Sequence, residues 1–247
     1  MPITTQAYRP TLNAGQVYLR LAGSDAPLKA IGNVSALDLE ISEDEKTLTD
    51  YTQPGGGQWA SVSRITGINA KMTLHDLDPD NLARAVYGTT NAVTGASVTG
   101  EAHTAHPGGL IRLAHPGPAE VTVTSDPAGT TYVAGADYEV RPEGILILDG
   151  AIADGTAILV DYTHAGYNAI EALAGGSAVY ELSFGGLNEA NSNSPVVLDI
   201  FRLKIGAATN LSMLGDDFAA LEVTGKVLLD PTKTGAGKSK YFRVQMV

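Results

Sequence analysis

Ser35-Ala36-Leu37-Asp38-Leu39-Glu40-Ile41-Ser42-Glu43-Asp44-Glu45 alternates apolar and polar residues with a period of two. Leu37, Leu39 and Ile41 fall on one side, and Asp38, Glu40, Ser42 and Asp44 on the other. This pattern predicts a strand with one buried face and one acidic face in water. Gln53-Pro54-Gly55-Gly56-Gly57 then interrupts regular structure. The chain returns through Val62, Ile68, Ala70, Met72 and Leu74, with Ser61, Ser63, Asn69, Lys71 and Thr73 opposite. The expectation is a long acidic hairpin with a loose glycine tip spanning Leu48 to Ala60.

Working outward, residues 1–13 carry Pro2 and Pro10 and little periodicity, so they read as an N-terminal arm. Residues 15–21 read as a strand, with Val17, Leu19 and Leu21 on one face. After the hairpin comes a helix signal: Asp78 as N-cap, Pro79 at the first helical position, Asp80 in the first turn and Gly88 past the end. Leu82, Ala85 and Val86 are expected to form its apolar stripe.

From Thr89 to Gly166 the texture changes to short strand-like runs between closely spaced Gly and Pro residues. This predicts an inserted β-rich domain, the alternative being long decorated loops on a single domain. Strand patterns resume at 178–184, 196–205, 221–229 and 241–247. The fold class is therefore mainly β, with one helix. The expected division is 14–88 with 167–247 as a discontinuous main domain and 89–166 as the insert.

Composition narrows function. With 16 basic against 27 acidic residues, the net charge of −11 argues against gripping nucleic acid by its phosphates. There are no cysteines, so disulfides, zinc-thiolate sites and cysteine nucleophiles are excluded. The N-terminus shows no basic or apolar signal region, and no apolar run approaches the roughly 20 residues of a membrane span. The expectation is a soluble, cytoplasmically made protein with no membrane partner.

Candidate chemistry is sparse. Gly237-Lys238-Ser239 ends like a phosphate-binding loop, but Thr232 stands where the first glycine belongs and a strand pattern follows. Glu101, His103, His106 and His115 contain a His-x-x-His pair, but on a strand those two histidines face opposite ways, so surface histidines in a loop are expected. His75-Asp76 lacks a serine elbow, and Asp216-Asp217 and Glu43–Glu45 lack calcium-loop spacing. No catalytic, cofactor or metal site is expected, and no enzyme. Trp59, the single tryptophan, is either an anchor in its own domain or a contact on a partner.

The order of elements resembles the tail tube proteins of long-tailed bacteriophages with non-contractile tails. The resemblance rests on Ala30-Ile31-Gly32-Asn33-Val34-Ser35 before the acidic strand, the loop from Asp50 to Trp59, and Ile65-Thr66-Gly67-Ile68. It continues in Lys71-Met72-Thr73-Leu74, Asp80-Asn81-Leu82-Ala83, Glu181–Asn188 and Val197–Lys204. Residues 136–163 are similar to a module common in phage virion proteins, which would decorate the outer wall.

The resemblance implies a tail-tube-type β-barrel or sandwich. Subunits would close into homo-hexameric rings that stack into a tube around a tape measure protein, with tail terminator and baseplate proteins as further partners. The protein would reside in the virion tail after assembly in the host cytoplasm. Double-stranded DNA would pass through the bore without specific binding. Asp38, Glu40, Ser42 and Asp44 are then the expected bore-facing residues, repelling phosphate. Asp50, Gln53, Gly55, Gly56, Gly57 and Trp59 are the expected contacts to the next ring. The alternatives are a terminator or baseplate hub ring of the same fold, or a β-sandwich adhesin or carbohydrate-binding module.

Overall fold

The computed structural model describes residues 10–247 apart from Asp217. The chain begins with β1 (Asn13–Leu21), β2 (Lys29–Ala30), β3 (Val34–Thr49), β4 (Gln58–Leu74) and α1 (Pro79–Ala85). β5 (Thr89–Val93) leads to β6 (Ala96–Ala105), β7 (Leu110–Arg112), β8 (Ala119–Ser125), β9 (Tyr138–Arg141), β10 (Gly144–Ile147) and β11 (Thr156–His164). β12 (Tyr167–Glu171) pairs with β5. β13 (Val179–Asn188), a short 3₁₀ turn (Glu189–Asn191), β14 (Ser194–Ile205), β15 (Leu221–Val227) and β16 (Phe242–Met246) complete the chain. The fold is mainly β, and two compact units divide it: residues 1–90 with 170–247, and residues 91–169.

In the first unit one sheet runs β2-β1-β13-β14-β15-β4-β3, with β16 also on β14. On its edge away from β13, β14 serves two neighbours: Val196–Ile200 pair with β16, and Leu203–Ile205 pair with β15. The sheet curls around one core, since Val17 and Leu19 of β1 join Leu37 and Leu39 of β3 in the same apolar cluster. The terminal strands β2 and β3 do not pair, so the expected barrel is corrected to an open, curled sheet compatible with a sandwich. Gly15 lies opposite Gly186, and a Cβ on Gly15 would collide with the Gly185 carbonyl.

β1 starts at Asn13, and Leu12 already donates to the Asn188 side chain, so the arm expected over 1–13 is shorter at its inner end. Residues 1–9 of that arm lie outside the described residues.

α1 begins as expected, with the Asp78 carboxylate accepting from the Asn81 amide at 2.8 Å. Asn81, Ala83 and Ala85 are its buried residues: of the expected stripe Ala85 is buried, while Leu82 and Val86 are half-buried. Asn81 can be buried because its side-chain amide donates to the carbonyls of Ile31 (2.9 Å) and Asp76 (3.0 Å), which also pins the helix. At the C-terminus the left-handed residue is Tyr87, with Gly88 next and its amide donating to Ala83 O.

The second unit packs two three-stranded sheets, β7-β10-β9 and β6-β11-β8, around its own core of Val123, Tyr138, Ile145, Ile147, Ile158 and Val160. From Ile158 to His164, β11 alternates buried and half-buried residues, as a strand with one face on a core must.

Candidate functional site

β3 and β4 pair from Val34↔Leu74 to Thr49↔Gln58, but β15 accompanies β4 only over Asn69–Leu74. Beyond Ser42 the hairpin is therefore a ribbon of two strands with no third neighbour among the described residues. Glu43–Thr49 alone extend about 20–25 Å at strand rise. Two-stranded ribbons are marginal in water without a partner surface.

The register places the expected bore residues on one face. Asp38 is opposite Lys71, Glu40 opposite Asn69, Ser42 opposite Gly67 and Asp44 opposite Arg64. Asp38, Glu40 and Asp44 are exposed, while Ser42 is half-buried. Lys71 Nζ lies 3.3 Å from Glu40, an exposed ion pair of small stabilising effect. The face is therefore acidic with interleaved cations, which alternation along β3 alone did not reveal.

Leu37 and Leu39 pack against the core as expected, but Ile41 is half exposed. It lies just past Asn69, where β15 stops covering the sheet. Further out, Leu48, Tyr51, Trp59, Val62 and Ile65 are all exposed, so the ribbon carries a run of apolar side chains into solvent.

The strands reach further than expected, leaving only Asp50–Gly57 as the tip. Asp50 organises it: its amide donates to Gly57 O at 2.7 Å, and its carboxylate accepts from the Thr52 amide and hydroxyl. Those bonds from Thr52 hold the Asp50 carboxyl below the usual carboxylate range. Gly55 and Gly56 take positive φ values of 99° and 57°. Gln53 O accepts weakly from the Gly56 amide, and Gly57 has open space where a Cβ would stand.

Trp59 lies in β4 rather than at the tip. Leu48 pairs with Ala60 and Thr49 with Gln58, which leaves Trp59 as the extra residue of a β-bulge. Thr66 is a second extra residue, between Ile65 and Gly67, with its hydroxyl donating to Ser42 O at 3.1 Å. The bulges sit at the outer end of the ribbon and at its root.

The other candidate groups have structural surroundings. Gly237-Lys238-Ser239 belongs to a loop closed by the Asp230 amide on Lys240 O, and β16 follows it. His75 bonds Ser35 Oγ, and the Asp76 carboxylate accepts from the Asn33 amide, so the two serve the β3 entry. Asp217 lies outside the described residues.

The histidines expected in a surface loop are partly built into the second unit. His103 is on β6 and bonds the Glu101 carboxylate, which also accepts from the Tyr162 hydroxyl at 2.6 Å and the Ala114 amide. Burial alone would raise the Glu101 carboxyl, but these three bonds outweigh it and hold it below the usual range. Burial first, and Glu101 second, push the Tyr162 phenol up to about 12. His115 stacks on His164 with ring centroids 4.0 Å apart. Only the distant pairing of β6 with β11 brings Glu101 near Tyr162, so sequence spacing carried no signal of it. His106 remains at the surface, bonded to Asp154. Among the described residues no three His, Asp or Glu side chains gather as a metal ion would need. Among them also no helix is long and apolar enough to cross a membrane.

No curated protein matches the chain. Residues 10–245 match the family described as "Protein of unknown function UCP028589", and the chain belongs to that family.

Proposed function

We propose that this chain is a structural, self-assembling virion protein, the subunit of a phage tail tube built from stacked hexameric rings. The observation that carries the proposal is the unaccompanied outer half of the β3–β4 ribbon with Leu48, Tyr51, Trp59, Val62 and Ile65 exposed. A surface of that kind is stabilised by docking on another chain. The resemblance of both flanks to tail tube proteins supplies the kind of assembly. In this reading Asp38, Glu40, Ser42 and Asp44 line the bore, and residues 50–59 reach the next ring. The tape measure, terminator and baseplate proteins are the further partners. The net charge of −11 favours passage of DNA over retention.

Electron microscopy of the concentrated, purified protein tests the proposal. Tubes are expected. Single closed rings would favour a terminator or hub, and a monodisperse monomer at high concentration would remove the assembly reading. Deleting Gln53–Gln58 should leave a folded monomer that forms no tubes. Tubes of normal length from that variant would show that the tip is not the stacking element.

A further inference from the structure

The connection from Gly206 to Ala220 contains no helix or strand among its described residues. It is fastened at its start, where the Gly206 amide donates to Thr224 O and the Ala208 amide to Ala85 O. Further along, Leu214 is 94% exposed and Phe218 is 95% exposed, with Met213 also largely in solvent. Asp216 stands between them, exposed as well. Large apolar side chains so fully presented on a loop are characteristic of a contact made with another molecule.

A complementary surface lies in the same unit. A cleft of about 380 Å³ opens between α1 and the β1–β2 corner. Leu19, Leu21, Pro27, Ala83, Tyr87 and Tyr180 supply its apolar lining. Arg20, Lys29 and Arg84 bring three cations to it, against one carboxylate, Asp80. Arg20 is held by Glu181 and Arg84 by Asp80, while Lys29 has no carboxylate partner among the described residues. Clefts of this size, roughly 300–1,000 Å³, accept ligand-sized apolar groups when a few polar residues fix their orientation. Among the described residues of one chain, the cleft stands open and Leu214 and Phe218 are left to solvent.

We infer that the 211–218 loop of one copy docks in the α1–β1–β2 cleft of a second copy, Leu214 and Phe218 entering the apolar floor and Asp216 meeting Lys29. Loop and cleft are different patches, so the contact joins unlike surfaces, the kind that propagates into rings or filaments. The inference rests on the reading of the chain as self-assembling, and it adds a contact separate from the β3–β4 ribbon.

The absence of native cysteine makes the test direct. Ser212→Cys protein, which keeps Leu214 and Phe218, is mixed with Ala26→Cys protein, Ser212 being exposed on the loop and Ala26 at the cleft. Under mild oxidation the mixed dimer should form at least about tenfold faster than with a control, Ala128→Cys on the second unit, because docking raises the local thiol concentration. Equal rates would overturn the inference. So would a doubly substituted chain that closes only on itself, since the loop would then cover its own cleft.

Independently, Asp216→Lys and Lys29→Glu should each weaken association seen by sedimentation velocity, and the two together should restore it. Failure of the pair to restore it counts against the Asp216–Lys29 contact. Tubes without the cross-link refute this contact and leave the tube reading intact. Cross-linked oligomers without tubes do the reverse.

Discussion

Replacing Trp59 with alanine separates the stability of the subunit from the strength of its assembly. Trp59 is 63% exposed on a ribbon with no third strand, so its removal should change the monomer's unfolding free energy by no more than about 0.5 kcal/mol. Docking would remove that exposed part from water. With a tryptophan presenting up to ~250 Å², about 160 Å² is at stake, or about 4 kcal/mol at ~25 cal/mol per Å². Imperfect burial lowers the expected loss to about 2–4 kcal/mol, a rise of roughly 30- to 1,000-fold in the critical concentration for tube growth. Pelleting across a concentration series reads that quantity directly, and urea unfolding of the unassembled variant supplies the control. A critical concentration within twofold of the parent, with normal monomer stability, would refute the role given to the ribbon. A variant that loses both together would show that Trp59 packs within its own chain.

Three other outcomes are expected. Gly32→Ala forces a side chain onto φ +86° against the Asp76 carboxylate, and should lower stability in denaturant unfolding by about 2–4 kcal/mol. Glu101→Gln weakens the carboxylate's bonds to Tyr162, His103 and the Ala114 amide, and should cost about 1–3 kcal/mol. Because the Glu101 carboxyl is held below its ordinary value, its contribution is present above the unfolded glutamate range and lost as pH falls through the folded value. The parent and variant should therefore converge in stability in acid, as measured by thermal unfolding across pH. Reversing Asp38 and Glu40 to lysine should yield tubes that retain double-stranded DNA at low salt and release it at high salt, while parent tubes retain little at either.

The β3–β4 hairpin was legible because period-two alternation and a glycine tip are local properties. Its limits were not legible, since they depend on β15, which arrives more than a hundred residues later and stops at Asn69. Ile41 fits the apolar pattern and is still half exposed for that reason. Lys71 and Arg64 join the acidic face only through register, set in part by the Thr66 bulge. The start of α1 was readable from Asp78 and Pro79, but of its buried residues only Ala85 was. Asn81 is polar, and only the carbonyls of Ile31 and Asp76 make its burial favourable. The bulge at Trp59 likewise follows from a mismatch between strands that neither strand announces alone. The division was expected at 88/89 and 166/167, and the compact units change at 90/91 and 169/170.

The pairing of β1 with β13 sets a schedule for synthesis. Arg20 meets Glu181, a residue 161 positions away, so β1 has no neighbour on that side until most of the chain has left the ribosome. The β3–β4 hairpin forms from adjacent segments, and residues 91–169 have a core of their own, so both precede that closure. The nascent chain thus carries its ribbon long before the sheet at the ribbon's root is complete.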